Sequence, residues 1–134
     1  MIVVDTSVAV AAALPWHESH AAARSALPRK TPLLAQVAVE TYSVLTRLPP
    51  PQRVAPVLAR DYLTETFGLP PFVLSSDGHQ RLLDLAAAAL IVGGAVYDAI
   101  VGATANEARA TLLTLDRRAT AAYRLLGVDY QVIG

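Results

Sequence analysis

The chain has 134 residues, 54% of them hydrophobic and 16% charged, which is long and apolar enough to bury one core and excludes a disordered segment. Eleven Lys and Arg balance eleven Asp and Glu, so no overall basic field draws in nucleic acid, and any phosphate contact must rest on local arginines. The absence of cysteine excludes disulfides and thiolate metal sites, and Lys30 as the only lysine leaves chemistry that needs a phosphate-gripping or Schiff-base lysine almost nowhere to reside.

Taken in chain order, residues 2–4 (Ile-Val-Val) read as a short strand. Asp5-Thr6-Ser7 then suits the cap of a helix over 8–14. Pro15 stops that helix, a second is expected over 18–27, and 31–35 reads as a brief buried strand. Trp16 beside Pro15 is expected to pack at a corner, with a partner-binding surface as the alternative. Over 34–48 the positions Val37, Thr41, Val44 and Leu48 recur at helical spacing, until the run Pro49-Pro50-Pro51 ends the helix. Residues 52–66 predict another helix with Pro56 in its first turn, and 72–74 a strand. Asp77 is expected to cap a helix running to 91 that Gly93-Gly94 closes. Asp98 opens an alanine-rich helix to 109, 111–115 reads as a strand, 117–126 as a helix ended by Gly127, and 130–133 as the last strand.

Short apolar strands alternating with helices imply a three-layer α/β/α sandwich, with a central, mostly parallel sheet of four to five short strands, in a single domain spanning 1–134. The mean hydropathy of +0.41 is high, yet the longest uncharged apolar stretch, 85–96, contains two glycines and falls short of the roughly 20 residues a spanning helix needs. With no basic region before Asp5, neither a signal peptide nor a membrane segment is expected, and the expected compartment is the cytoplasm.

Asp5 and Asp116 each follow an apolar run closely, which puts both at the carboxyl ends of strands, where open α/β sheets bind ligands. Helix capping is the competing use of Asp at such positions. Glu40 lies about 100° from the centre of its helix's apolar stripe, where it can face a cleft or stand on the surface with Arg47 two turns on. Asp98 sits at a helix start, where the macrodipole favours an anion whatever its use. Converging carboxylates repel one another and call for a cation, and oxygen-only ligands point to Mg²⁺ or Mn²⁺. Such a cation can activate water against a phosphodiester. His17 and His20 are three apart, but a third ligand is lacking and Glu18 is expected to point elsewhere.

Together these residues carry a resemblance. Met-Ile-Val-Val-Asp5-Thr6-Ser7, Glu40 on an early helix, the run Asp98-Ala-Ile-Val-Gly-Ala-Thr-Ala and Thr114-Leu-Asp116-Arg117-Arg118 resemble, in order and spacing, the PIN-domain toxins of the VapC family over essentially the whole chain. The resemblance implies a PIN fold and a Mg²⁺-dependent endoribonuclease toxin of a type II toxin–antitoxin system. In it Asp5, Glu40, Asp98 and Asp116 hold the metal and the hydrolytic water. It implies RNA as substrate, products with 5′-phosphate and 3′-hydroxyl ends, a homodimer, and a cognate VapB-type antitoxin forming a heterotetramer or larger assembly. It also implies supporting hydroxyls from Thr6, Ser7 and Thr114. Some family members carry a fifth acidic residue shortly after the fourth; here Arg117 and Arg118 stand there, placed to meet RNA phosphates and casting doubt on a second metal.

Rival enzymes fare worse. An aspartyl-phosphate phosphatase wants a second Asp two residues after Asp5, where Ser7 stands, and a lysine; a P-loop protein wants a glycine-rich Gly-Lys-Ser/Thr segment that is absent. The alternatives that remain are a PIN-like module that binds RNA or protein without turnover, and a related DNA nuclease.

Overall fold

The computed structural model describes all residues, 1–134. Its elements follow the order β1 (Ile2–Val4), α1 (Thr6–Ala13), α2 (His20–Ala26), β2 (Pro32–Leu34), α3 (Ala35–Thr46), α4 (Pro56–Thr66), β3 (Gly68–Phe72), α5 (Ser76–Ala89), α6 (Ala95–Glu107), β4 (Thr111–Thr114), α7 (Thr120–Leu125) and β5 (Tyr130–Val132). Every strand pairing is parallel. The strands form two ladders, β1-β4-β5 and β2-β3. Between them, the Thr31 hydroxyl donates to the Ile2 carbonyl, a side-chain tie where a continuous sheet would have backbone pairing.

Consecutive residues of β1 and β4 are buried: Val3 and Val4, then Leu112 and Leu113. Because neighbouring strand residues face opposite sides, this burial means that helices cover both faces, as the sequence predicts. The main core gathers residues from β1, β2, β4, α1, α3, α6 and α7 around these strands. Smaller clusters lie between α5 and α6 and beneath α1, α3 and α4. No helix is long and apolar enough to cross a membrane.

Several boundaries depart from the sequence reading. The third strand falls at Gly68–Phe72 rather than 72–74, although it contains Pro70 and Pro71. Proline cannot donate to a ladder, so it signals against a strand; β3 tolerates it because it pairs on one side only, with β2. Ser75, not Asp77, caps α5, its hydroxyl accepting from the Gly78 N–H at 2.9 Å, while Asp77 lies in the first turn. Leu90 rather than the glycine pair ends α5, in the left-handed conformation with φ 57°.

Gly68 is a point of close approach. A Cβ there would stand 2.7 Å from the Lys30 carbonyl oxygen, a backbone atom with little room to yield, while the Gly68 N–H donates to Thr31 O at 2.9 Å. We expect Gly68→Ala to cost about 1–3 kcal/mol by prising β3 from the segment leading into β2. Urea denaturation measures it; an unchanged midpoint would show that the segment moves aside freely.

Candidate active site

The parallel pairing of β1 with β4 brings Val4 opposite Leu113, so the chain leaves both strands at the same edge of the sheet. Asp5 follows β1, with its backbone N–H still donating to Leu113 O at 3.0 Å, and Asp116 follows β4. To this edge the first turn of α6 adds Asp98, and the middle of α3 adds Glu40. Glu40, Asp98 and Asp116 line one cleft of about 540 Å³, together with Thr6, Ser7 and Arg118. Asp5, only 4% exposed, lies beneath its floor.

Each carboxylate is held differently. Asp5 is the N-cap of α1 and something more. Its Oδ1 accepts from Ser7 Oγ at 2.5 Å and from the Val8 N–H at 3.3 Å, and its Oδ2 from the Tyr123 hydroxyl at 2.9 Å. Glu40 accepts from Thr6 Oγ1 at 2.6 Å and Gln36 Nε2 at 3.0 Å, and Arg47 bonds Ser43 instead of pairing with it. Asp116 accepts from the Arg118 N–H at 2.9 Å, with the Arg118 guanidinium 3.8 Å away, while its own N–H donates to Thr114 Oγ1 at 2.9 Å. Ser7 Oγ also accepts from the Leu115 N–H at 2.9 Å and lies 3.5 Å from Thr114 Oγ1, tying the turns after β1 and β4 together. Asp98 makes no side-chain hydrogen bond, and it is the free carboxylate of the group.

The electrostatics match this geometry. Asp98 is pushed up to about 6, first by burial and then by the charges of Asp116, Glu40 and Asp5, against a weaker opposing pull from Arg118. Asp5 is raised by burial, which outweighs the lowering by hydrogen bonds from Ser7, Thr114, Tyr123 and Val8. Burial and the nearby Asp5 charge raise the Tyr123 hydroxyl too, so it stays a donor at any working pH. Without a counter-ion the four carboxylates work against one another.

A divalent cation fits this donor set: oxygen ligands, an unbonded Asp98 and unrelieved repulsion. The fit has a limit, because no three His, Asp or Glu side chains stand close enough to chelate one ion directly. Mg²⁺ suits such a site, since it keeps several waters and takes only one or two carboxylates directly.

Asp98 sets a pH dependence. A carboxyl whose folded pKa lies above its unfolded value holds its proton more tightly in the fold, so its contribution favours folding below about pH 4 and is lost as the pH rises through about 6. In EDTA, Asp98→Asn should therefore melt above the wild type at pH 7, with the gap closing towards pH 4. Thermal denaturation across that range tests it; a variant that melts lower throughout would mean that Asp98 stabilises the metal-free fold.

Other expectations need correction or placement. Helix α2 begins at His20, so His17, Glu18 and Ser19 form a loop in the wall of the carboxylates' cleft rather than a helical turn. His17 Nδ1 accepts from the Ser19 N–H at 3.0 Å, and the His20 ring bonds Ala11 O at 2.8 Å, so the two histidines do not act as a ligand pair. Trp16 does not pack at a corner; it is 58% exposed beside His17. Arg118 reaches the cleft, whereas Arg117 is exposed outside its lining. The residue that sequence reasoning missed is Tyr123. It lies fully buried on a helix whose pattern gives no sign that one of its apolar-face residues reaches Asp5.

A parallel α/β fold with an acidic cleft at the carboxyl edge of its strands is an arrangement for cation-assisted phosphodiester chemistry. The PIN domain family model matches residues 2–125, and the chain belongs to the PIN-domain family. It is 48% identical over 133 residues to Ribonuclease VapC40 of Mycobacterium tuberculosis, covering 99% of each chain. To Ribonuclease VapC27 of the same organism it is 44% identical over 132 residues, covering 98% of this chain and 96% of the relative.

Proposed function

We propose that the chain is a single-domain, Mg²⁺-dependent endoribonuclease, the toxin of a type II toxin–antitoxin pair, working in the cytoplasm with Asp5, Glu40, Asp98 and Asp116 as its metal-binding and catalytic groups. The observation that carries this reading is the convergence of Glu40, Asp98 and Asp116 on one cleft at the sheet edge where the buried Asp5 leaves β1. The ribonuclease names of near-full-length relatives supply the substrate class. Divalent-metal dependence is general to PIN ribonucleases; Mg²⁺ rather than Mn²⁺ is our assignment.

When bound, the cation lowers the pKa of a water and neutralises charge on the phosphodiester. The chain's own groups do the rest. Three donors fix the Asp5 carboxylate, and Thr6 with Gln36 fixes that of Glu40, so neither has to reorganise as charge develops. Ser7 and Thr114 hold the two loops that carry Asp5 and Asp116 in register. Asp98, unbonded and bordering the cleft, can take the proton of the attacking water at its carboxylate oxygen. Arg118 lines the cleft and partly offsets its negative charge, which supports a role for it in meeting a phosphate.

The partner reading draws on a second surface. Between α3 and α4 runs an apolar groove of about 490 Å³ whose walls include the exposed Val39, Tyr42, Val57 and Leu69. An amphipathic segment of a VapB-type antitoxin is the kind of ligand that such a groove accommodates, and a homodimer assembled with its antitoxin into a heterotetramer or larger complex would cover more of the exposed apolar surface.

The test is to incubate antitoxin-free protein with structured RNAs and with single-stranded DNA, each in Mg²⁺ and in EDTA. Cleavage confined to the Mg²⁺ reaction supports the reading. Equal cleavage in EDTA contradicts it, and cleavage of single-stranded DNA alone moves the assignment to a DNA nuclease.

A further inference from the structure

The carboxylate cleft does not end at Glu40. A second groove, of about 530 Å³, shares Thr6, Glu40 and Val44 with it and extends to Gln36, Ser43, Arg47 and Tyr97. On α3 the residues Gln36, Glu40 and Ser43 recur at spacings of four and three, which puts them within an arc of about 60° at 100° per residue, and Arg47, the C-cap of the helix, continues the row. They form one polar stripe that floors the groove, and Tyr97, next in the chain to Asp98, closes its side.

Two groups in this groove remain uncommitted. Arg47 makes no ion pair; its only side-chain bond is from Nη1 to Ser43 Oγ at 2.8 Å, which leaves most of its donors and its whole charge free. Tyr97 is 55% exposed, and its hydroxyl bonds nothing. Arg47 lies seven residues beyond Glu40, about 10 Å along the helix axis, so it reaches a phosphate flanking the one at the carboxylates and not that one itself. An exposed aromatic beside an unpaired guanidinium, both opening from an acidic catalytic cleft, match a nucleotide's two recognisable parts: a base with a π-face and a phosphate. The need is physical as well. Four carboxylates repel the polyanion they are to cut, so affinity must come from beside them.

We propose that this groove is a nucleotide subsite for single-stranded RNA, in which an unstacked base lies on Tyr97 and a phosphate flanking the scissile one is held by Arg47. The proposal rests on the ribonuclease reading for its substrate class. It favours unpaired segments, because a base inside a duplex offers no free face to Tyr97.

The test measures binding of a fluorescein-labelled, mixed-sequence single-stranded RNA by anisotropy in Ca²⁺, with cleavage of the same RNA followed separately in Mg²⁺. Both groups are exposed, so melting temperatures should confirm that the variants fold. We expect Tyr97→Ala to weaken binding about tenfold and Tyr97→Phe, which keeps the ring, to stay within about twofold of the wild type. Arg47→Ala should weaken binding and lower the slope of log affinity against log salt by about one. A duplex of the same sequence should not distinguish Tyr97→Ala from the wild type. Wild-type affinity in both Tyr97→Ala and Arg47→Ala would overturn the subsite, as would Tyr97→Phe binding as weakly as Tyr97→Ala. The two readings separate cleanly. Cleavage with KM unchanged in Tyr97→Ala removes the subsite and leaves the nuclease; Tyr97-dependent binding without any cleavage removes the nuclease and leaves the subsite.

Discussion

Asp98→Asn and Asp5→Asn should each lower RNA cleavage by about a thousandfold or more, because on the proposed mechanism each removes a negative oxygen that cation binding or proton transfer needs. The two differ in a way that checks the geometry. Asn at position 98 keeps the shape of an unbonded, half-buried side chain, so folding should survive and metal-free stability at neutral pH should rise. Asn at position 5 puts an amide where Ser7, Val8 and Tyr123 all donate, so one of its two ends opposes a donor, and some stability should be lost along with activity. Rates from single-turnover cleavage of one RNA, set beside melting curves, separate the two effects. Retention of near-normal rates by either variant would remove that carboxylate from the mechanism.

Tyr123 should produce the second large effect. It is among the largest fully buried side chains, packs against Tyr130 and donates to Asp5. Tyr123→Ala leaves a cavity and an under-bonded buried carboxylate, and is expected to cost about 3–5 kcal/mol. Tyr123→Phe keeps the packing and removes only the donor. Its expected cost is about 1–3 kcal/mol. On the proposed mechanism the phenol orients a metal-binding carboxylate from behind, so Tyr123→Phe should also lower cleavage or Mg²⁺ affinity by about 10- to 100-fold. Measuring stability and activity on the same preparation decides between roles. Lost stability with undiminished activity would make Tyr123 a packing residue alone.

How far the site was legible in the sequence depended on what each residue's position is fixed by. Asp5 and Asp116 could be placed because a strand's end is written locally, as a short β-branched or apolar run followed by a polar turn, and parallel strands share an edge by topology. Glu40 was visible through helical periodicity as a boundary residue, and Asp98 through its place at a helix start. Their convergence is a long-range property that only the resemblance to the PIN-domain toxins supplied. Tyr123 and the loop from His17 to Ser19 stayed hidden for the same reason: what brings them to the site is the packing of α7 beneath Asp5 and the late start of α2, neither of which leaves a local signal. Capping and catalysis were posed as rivals for Asp5, yet its Oδ1 caps α1 while its Oδ2 is held by Tyr123. The misplaced strand at 72–74 has a plain cause as well, since proline argues against a strand unless the sheet's edge is known.

The most direct measurement is the chemistry of the cut ends. RNA cleaved by the antitoxin-free protein in Mg²⁺ would be tested for a 5′-phosphate, by its competence for ligation, and for a 2′,3′-cyclic phosphate, by mass. Water attack at phosphorus forms no cyclic phosphate, and with loss of the 3′-oxygen, as the resemblance to the PIN-domain toxins implies, it leaves 5′-phosphate and 3′-hydroxyl ends; that is the result expected here. Cyclic phosphate with 5′-hydroxyl ends would mean that the RNA's own 2′-hydroxyl attacks, and would contradict the roles given to Asp5, Glu40, Asp98 and Asp116.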